Sequence, residues 1–149
     1  MSNKFAKIGA VFFLLWGLLH VLGGFLMLSA SSVDMGSYLQ VLMGEQSALA
    51  DITANNAVAT SATMQVFAYH AFNLTWLGVL VSVIAVVSNW NNQASGFWVN
   101  LALVGLIDLG LIVYMVVPGV IPSSDPWWLG PVLYVFAVIF SAVGLRQRK

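Results

Sequence analysis

Long uninterrupted runs of apolar residues, separated by polar stretches, dominate the pattern of this chain. A bilayer core needs roughly 20 apolar residues per helix, and four runs have about that length. The runs are Ile8–Leu28, Met64–Val87, Phe97–Val117 and Trp128–Leu145. The pattern therefore predicts an all-α integral membrane protein with four transmembrane helices, in which consecutive helices run antiparallel as a bundle.

The connections between these runs differ in length and character. Residues 29–63 form a long outer loop, in which 36–52 could fold as a short interfacial helix or as a lid over the bundle. Residues 88–96 are a tight polar turn, and residues 118–127 contain three prolines that interrupt any helix. No boundary between domains is visible, so residues 1–149 are expected to form a single membrane domain.

Composition supports a membrane protein and excludes several function classes. Hydrophobic residues make up 60% of the chain and charged residues 7%, and the mean hydropathy is +0.94. Soluble domains carry about 25% charged residues, so this chain cannot cover itself with a water-facing surface. The absence of cysteine excludes disulfides and thiol catalysis. A net charge of zero without a basic patch excludes nucleic acid as an expected partner.

Basic residues lie only at the two ends of the chain. Four of the five acidic residues lie in the two loops at the other side of the predicted bundle. The positive-inside rule therefore predicts that both termini are cytoplasmic. The first apolar run, with 21 residues, is longer than the ~7–15 of a cleaved signal peptide. Size and hydropathy are those of small four-span proteins of the bacterial inner membrane, and no motif names a family.

Polar side chains occur at similar depths in all four runs. At about 1.5 Å per residue, they lie ~9–13 Å from the outer ends of the predicted helices. They are His20, His70, Asp108 and Tyr134, with Asn73 one turn inward of His70. The sequence therefore predicts one buried polar cluster in the outer half of the bundle.

Small residues accompany these side chains on the same helix faces. Gly17, Gly23 and Gly24 lie on the side of His20, and Gly105 lies on the side of Asp108. The fourth run presents a seam of small residues, in which Tyr134 is the exception: Gly130, Ala137, Ser141 and Gly144. Small residues allow membrane helices to approach closely, which is typical of a tightly packed bundle. Trp16 and Trp76 lie deeper and are interpreted as core packing.

Asp108 is the residue that most needs an explanation. A carboxylate at the centre of a membrane helix costs about 3 kcal/mol on insertion scales, unless it is protonated or paired. None of the four runs contains lysine or arginine, so His20 and His70 are the expected partners. The simplest interpretation is that hydrogen bonds of Asp108, the histidines and Tyr134 hold the helices together.

Three function classes follow from this cluster. In the first, the protein is an accessory or assembly subunit, or a homo-oligomer, and its partners are membrane lipids and other membrane subunits or itself. In the second, it binds a cofactor. A b-type haem would be ligated by His20 and His70 with space at the three glycines, whereas a divalent metal would also use Asp108.

In the third class, the cluster is a proton-coupled element for transport of a small solute. No motif pairs a nucleophile with a base or places two histidines one turn apart, and the sequence therefore leans away from an enzyme.

Overall fold

The computed structural model describes residues 3–31, 57–121 and 126–147, and these residues are helical apart from short turns. The helices are α1 (Lys4–Ser31), α2 (Ala57–Ile84), α3 (Ala94–Leu111) and α4 (Leu129–Arg146). Two of them, α2 and α3, continue into wide π-helical turns at Ala85–Asn89 and Ile112–Val116. All four helices are long and apolar enough to cross a membrane, as the sequence predicts.

The helices begin and end differently from the apolar runs. On α1 the helix extends from Lys4 to Ser31, whereas the apolar run covers residues 8–28. Backbone hydrogen bonding can continue beyond the last apolar residue, because polar side chains there can be solvated. The predicted short helix at 36–52, and most of the predicted loop 29–63, lie outside the described residues.

The first helix is the central element of the bundle. It packs along α2 on one side and along α4 on the other, and it is antiparallel to both. Gly17 and Gly24 face α2, while Gly9 faces Ser141 of α4. The small-residue seam of α4 is buried, as the sequence pattern predicts, apart from the half-buried Tyr134.

Backbone touches backbone at the contact between α1 and α2. A Cβ added to Gly78 would lie 2.6 Å from the carbonyl oxygen of Gly17. A Cβ added to Gly24 would overlap the Thr75 hydroxyl and lie 2.8 Å from the carbonyl oxygen of Ala71. This close approach maximises van der Waals contact, the interaction that associates helices where lipid removes the hydrophobic effect.

A sealed apolar core fills the half of the bundle nearer the chain termini. Every helix supplies at least one fully buried residue to it: Phe13 and Trp16, Val81, Val104 and Ala137. Outside this core, large apolar side chains are exposed along all four helices. Such a surface suits lipid, since water would impose a large hydrophobic cost.

The carbonyl oxygen of Gly144 brings both chain ends and the α2–α3 turn together. It accepts a hydrogen bond from the Asn3 side-chain amide at 2.8 Å and another from the Asn92 amide at 3.0 Å. Asn92 has a φ of 55°, a left-handed conformation that asparagine tolerates and that reverses the chain between α2 and α3. We call this end of the bundle the terminal end.

Two neighbouring glycines of α1 give a matched test of the close packing. We expect Gly24→Ala to lower the free energy of unfolding by about 1–3 kcal/mol, because the new methyl group meets backbone. A Cβ on Gly23 meets no atom within 4 Å, so Gly23→Ala should be neutral or stabilising by up to about 1 kcal/mol. Thermal unfolding of both variants in detergent micelles measures the difference, and equal midpoints would contradict this packing.

Candidate functional site

Asp108 is buried inside the bundle, with 4% of its surface exposed. Its Oδ1 atom accepts a hydrogen bond from the indole Nε1 of Trp16 at 3.2 Å. Its Oδ2 atom is also buried, and it has no hydrogen-bond partner among the described residues. The carboxyl group of α3 is therefore attached to α1 through one oxygen, and the other oxygen remains unsatisfied.

His20 lies one helical turn after Trp16 and is positioned by it in two ways. The two rings stack with their centroids 3.6 Å apart, and His20 Nδ1 lies 2.8 Å from the carbonyl oxygen of Trp16. Because a carbonyl can only accept, we assign the ring proton to Nδ1. The other nitrogen, Nε2, then carries a lone pair that can accept a hydrogen bond.

Gly130 of α4 lies next to all three of these side chains. A Cβ added to it would lie 3.4 Å from Trp16 Nε1, 3.5 Å from Asp108 Oδ1 and 3.6 Å from His20 Cε1. Three helices thus converge on one small region, and the missing side chain of Gly130 is what leaves room there. We call Trp16, His20, Asp108 and Gly130 the convergence site.

The convergence site is closed on the side of the terminal end. Phe13, Val104 and Ala137 lie one or two turns closer to that end, and all three have no exposed surface. In contrast, His20 is half-buried. His20 is therefore the least buried member of the convergence site, and the side nearer the terminal end is closed by Phe13, Val104 and Ala137, which we call the plug.

Tyr134 lies near the convergence site and bonds to the backbone of α3. Its hydroxyl donates to the carbonyl oxygen of Leu101 at 3.0 Å. Its ring packs against Gly105, where any side chain would collide with the phenol oxygen. Tyr134 consequently fixes α4 against α3, one to two turns closer to the terminal end than Asp108.

The structure does not bring His70 and Asn73 to the convergence site. His70 is exposed on α2 and makes no hydrogen bond within the described part of the chain. Asn73 is half-buried, and its side-chain amide donates to the carbonyl oxygen of Tyr69 at 2.9 Å. Helical geometry separates the two neighbours: α2 turns the small residue Ala71 toward α1, and the adjacent His70, about 100° further round the helix, remains exposed.

The two cofactor arrangements considered from the sequence are affected by this rotation. The described residues contain no group of three or more His, Asp or Glu side chains that could hold a metal ion, so His20, His70 and Asp108 do not form the metal site considered. The space expected beside His20 is also reduced, because α2 closes Gly17 and Gly24. Gly23 alone of the three glycines borders open space.

Sequence reasoning missed two features of the buried polar groups. Trp16 is a core residue, as predicted, but it is also the hydrogen-bond donor to Asp108. Its spacing of four residues from His20 was the available signal, because such residues are neighbours on a helix. Asn100 was not singled out, although it is fully buried and donates to Asn89 Oδ1 at 3.2 Å.

Comparisons of this chain with protein-family models, with curated proteins and with solved structures found no match.

Removal of the indole N–H tests whether Trp16 satisfies Asp108. We expect Trp16→Phe to lower the free energy of unfolding by about 1–3 kcal/mol more than Trp98→Phe does, because a buried carboxyl group loses its donor. Trp98 is a suitable control, since 63% of its surface is exposed. Chemical or thermal unfolding in micelles measures both variants. If the two substitutions cost the same, the Trp16–Asp108 hydrogen bond does not stabilise the bundle.

Proposed function

We propose that this protein is an integral subunit of the bacterial inner membrane, with both termini in the cytoplasm, and that it works by associating with other membrane helices. The basic termini support this orientation through the positive-inside rule. The association surface would be the side of α2 that points away from α1. The polar side chains exposed there are the observation that carries the proposal.

This surface, which we call the distal face, consists of Tyr69, His70, Asn73 and Trp76. Tyr69, Asn73 and Trp76 follow one another at helical spacing on α2, opposite the side that packs on α1, and His70 lies at the edge of this surface. Tyr69 and Trp76 have 69% and 57% of their surface exposed. The sequence interpretation of Trp76 as core packing is therefore wrong, because α2 turns this indole outward.

The position of Trp76 along its apolar segment suggests that its exposed indole contacts another helix. Tryptophan is common at the borders of a membrane, where its N–H group reaches water. Trp76, however, is the thirteenth residue of the apolar segment Met64–Asn89, which has 26 residues. Its indole would therefore meet hydrocarbon near the middle of the bilayer, where the N–H group has no partner in lipid. A neighbouring helix would supply one.

The other helices expose a different kind of surface at this depth. The exposed side of α1 is entirely apolar between Ile8 and Leu26, and the exposed residues in the middle of α3 and α4 are also apolar. Polar residues in membrane helices usually face protein, because hydrocarbon leaves them unsatisfied. The distal face is consequently the surface expected to be covered by protein.

A second copy of this chain is the simplest occupant of the distal face. Imidazole and carboxamide groups both donate and accept hydrogen bonds, so two identical surfaces can satisfy each other across a two-fold axis. Such interhelical hydrogen bonds contribute about 0.6 kcal/mol each on average. A different membrane subunit with matching polar groups would make the protein an accessory subunit.

Site-directed crosslinking tests this association. Because the natural sequence contains no cysteine, a crosslinker attaches only at the cysteine that is introduced. A photo-activated crosslinker attached at Val66→Cys, beside the distal face, should give a discrete adduct in native membranes. Twice the mass of the chain would indicate a second copy, and another defined mass would indicate a different subunit. The control is Leu26→Cys on α1, which is exposed near the same end of the bundle and should give no discrete protein adduct.

A double substitution tests whether polar contacts cause the association. His70→Leu combined with Asn73→Leu should weaken the association by roughly five- to tenfold, since two interhelical hydrogen bonds are lost. Unfolding midpoints show that these variants keep their fold. An adduct from Leu26→Cys equal to that from Val66→Cys, or an adduct insensitive to both leucine substitutions, would overturn the proposal.

A further inference from the structure

The convergence site has hydrogen-bond acceptors without donors. The three polar donors at or next to it are already engaged: Trp16 Nε1 with Asp108, His20 Nδ1 with the carbonyl oxygen of Trp16, and the Tyr134 hydroxyl with that of Leu101. Two acceptors remain without a donor among the described residues, Asp108 Oδ2 and His20 Nε2.

The side chains that carry the two free acceptors border the same small space beside Gly130. His20 Cε1, the ring carbon bonded to Nε2, would be 3.6 Å from a Cβ on Gly130, and Asp108 Oδ1 would be 3.5 Å from the same point. Asp108 is more than nine-tenths buried, so the unsatisfied oxygen cannot be hydrated as a surface carboxylate is. The space that Gly130 leaves is about the size of a methyl group, and the half-buried His20 borders it.

No positive charge of the protein is available to Asp108. Lysine and arginine occur only at the two ends of the sequence, and the described ones, Lys4, Lys7 and Arg146, belong to the terminal end. The plug of Phe13, Val104 and Ala137 separates them from the convergence site. A group from outside the chain that donates hydrogen bonds and carries positive charge would satisfy both acceptors and neutralise the carboxylate.

We propose that the convergence site binds a small cation of the ammonium class, either the ammonium ion or the head group of a protonated primary amine. One N–H group would donate to Asp108 Oδ2 and a second to His20 Nε2. The alkyl part of a larger amine would extend past His20, away from the terminal end. This assignment does not depend on the association proposed for the distal face.

Metal cations fit this site less well than ammonium does. Alkali and alkaline-earth ions require about six oxygen ligands, whereas one carboxylate oxygen is free here, and the neighbouring backbone carbonyls belong to helices. Zinc and iron commonly take three or more protein ligands. An ammonium group differs from these metal ions because it brings N–H donors, which both free acceptors lack.

Potassium provides a matched control, because its ion has nearly the size of ammonium and cannot donate a hydrogen bond. The full-length protein in micelles or nanodiscs would be titrated at constant ionic strength with ammonium, methylammonium, tetramethylammonium and potassium chloride. Ligands that bind the folded state raise the unfolding midpoint as their concentration passes the dissociation constant. We expect a saturable rise with ammonium or methylammonium, and none with potassium or tetramethylammonium.

Substitution of Asp108 separates this site from any other site that responds to ammonium. Asp108→Asn keeps the shape and the acceptor for Trp16 but loses the charge, and it should weaken ammonium binding by at least about tenfold. A response to methylammonium stronger than that to ammonium would identify an organic amine as the ligand. The reverse order would identify the free ion.

The NMR resonance of the Trp16 indole N–H group provides a second measurement, which uses the wild-type protein and no substitution. In wild-type protein labelled with ¹⁵N at tryptophan, the Trp16 N–H resonance should move with ammonium and stay unchanged with potassium. The proposal fails if both cations have the same effect on midpoint and resonance, or if Asp108→Asn responds as the wild type does. It also fails if the Trp16 resonance responds to pH alone, which would assign the site to a proton.

Discussion

Hydrocarbon offers no hydrogen bonds, and this constraint explains most of the arrangement of these four helices. Polar side chains between α1 and α2 satisfy themselves locally: the hydroxyls of Thr75 and Ser82 donate to carbonyl oxygens one turn earlier, those of Ala71 and Gly78. With its polar groups satisfied in this way, the seam can consist of backbone and small side chains in direct contact. Tight packing around α1 is thus compatible with the polar composition of the seam.

The same constraint makes polar side chains without a hydrogen-bond partner in the described chain candidates for external contacts. Asp108 Oδ2 is buried without a hydrogen-bond partner among the described residues, in a carboxyl group that borders the space at Gly130. Trp76 and His70 face outward from α2. We infer a bound ligand for the buried carboxyl group of Asp108, and another helix for the exposed polar side chains of α2. The two proposals therefore have one physical origin and separate locations.

Sequence alone could predict the four membrane-length helices found among the described residues, but not how each helix is rotated. The four apolar runs and the small-residue seam of α4 are visible because length and residue size act locally. Rotation is hidden because apolar residues face both the core and the lipid, so hydrophobicity does not distinguish the two sides. His70 and Ala71 are adjacent in sequence, yet Ala71 is buried against α1 and His70 is exposed. The pairing of Trp16 with Asp108, 92 residues apart, likewise requires the packed structure.

The central claim is that protein covers the distal face of α2 in the membrane, while lipid covers α1. Spin labels at Trp76→Cys and Leu18→Cys would probe it most directly, because these positions lie at similar depth and are both exposed in the single chain. In reconstituted bilayers, we predict frequent collisions of the nitroxide at position 18 with dissolved oxygen, and several-fold fewer at position 76. Equally frequent collisions at both positions would contradict the account.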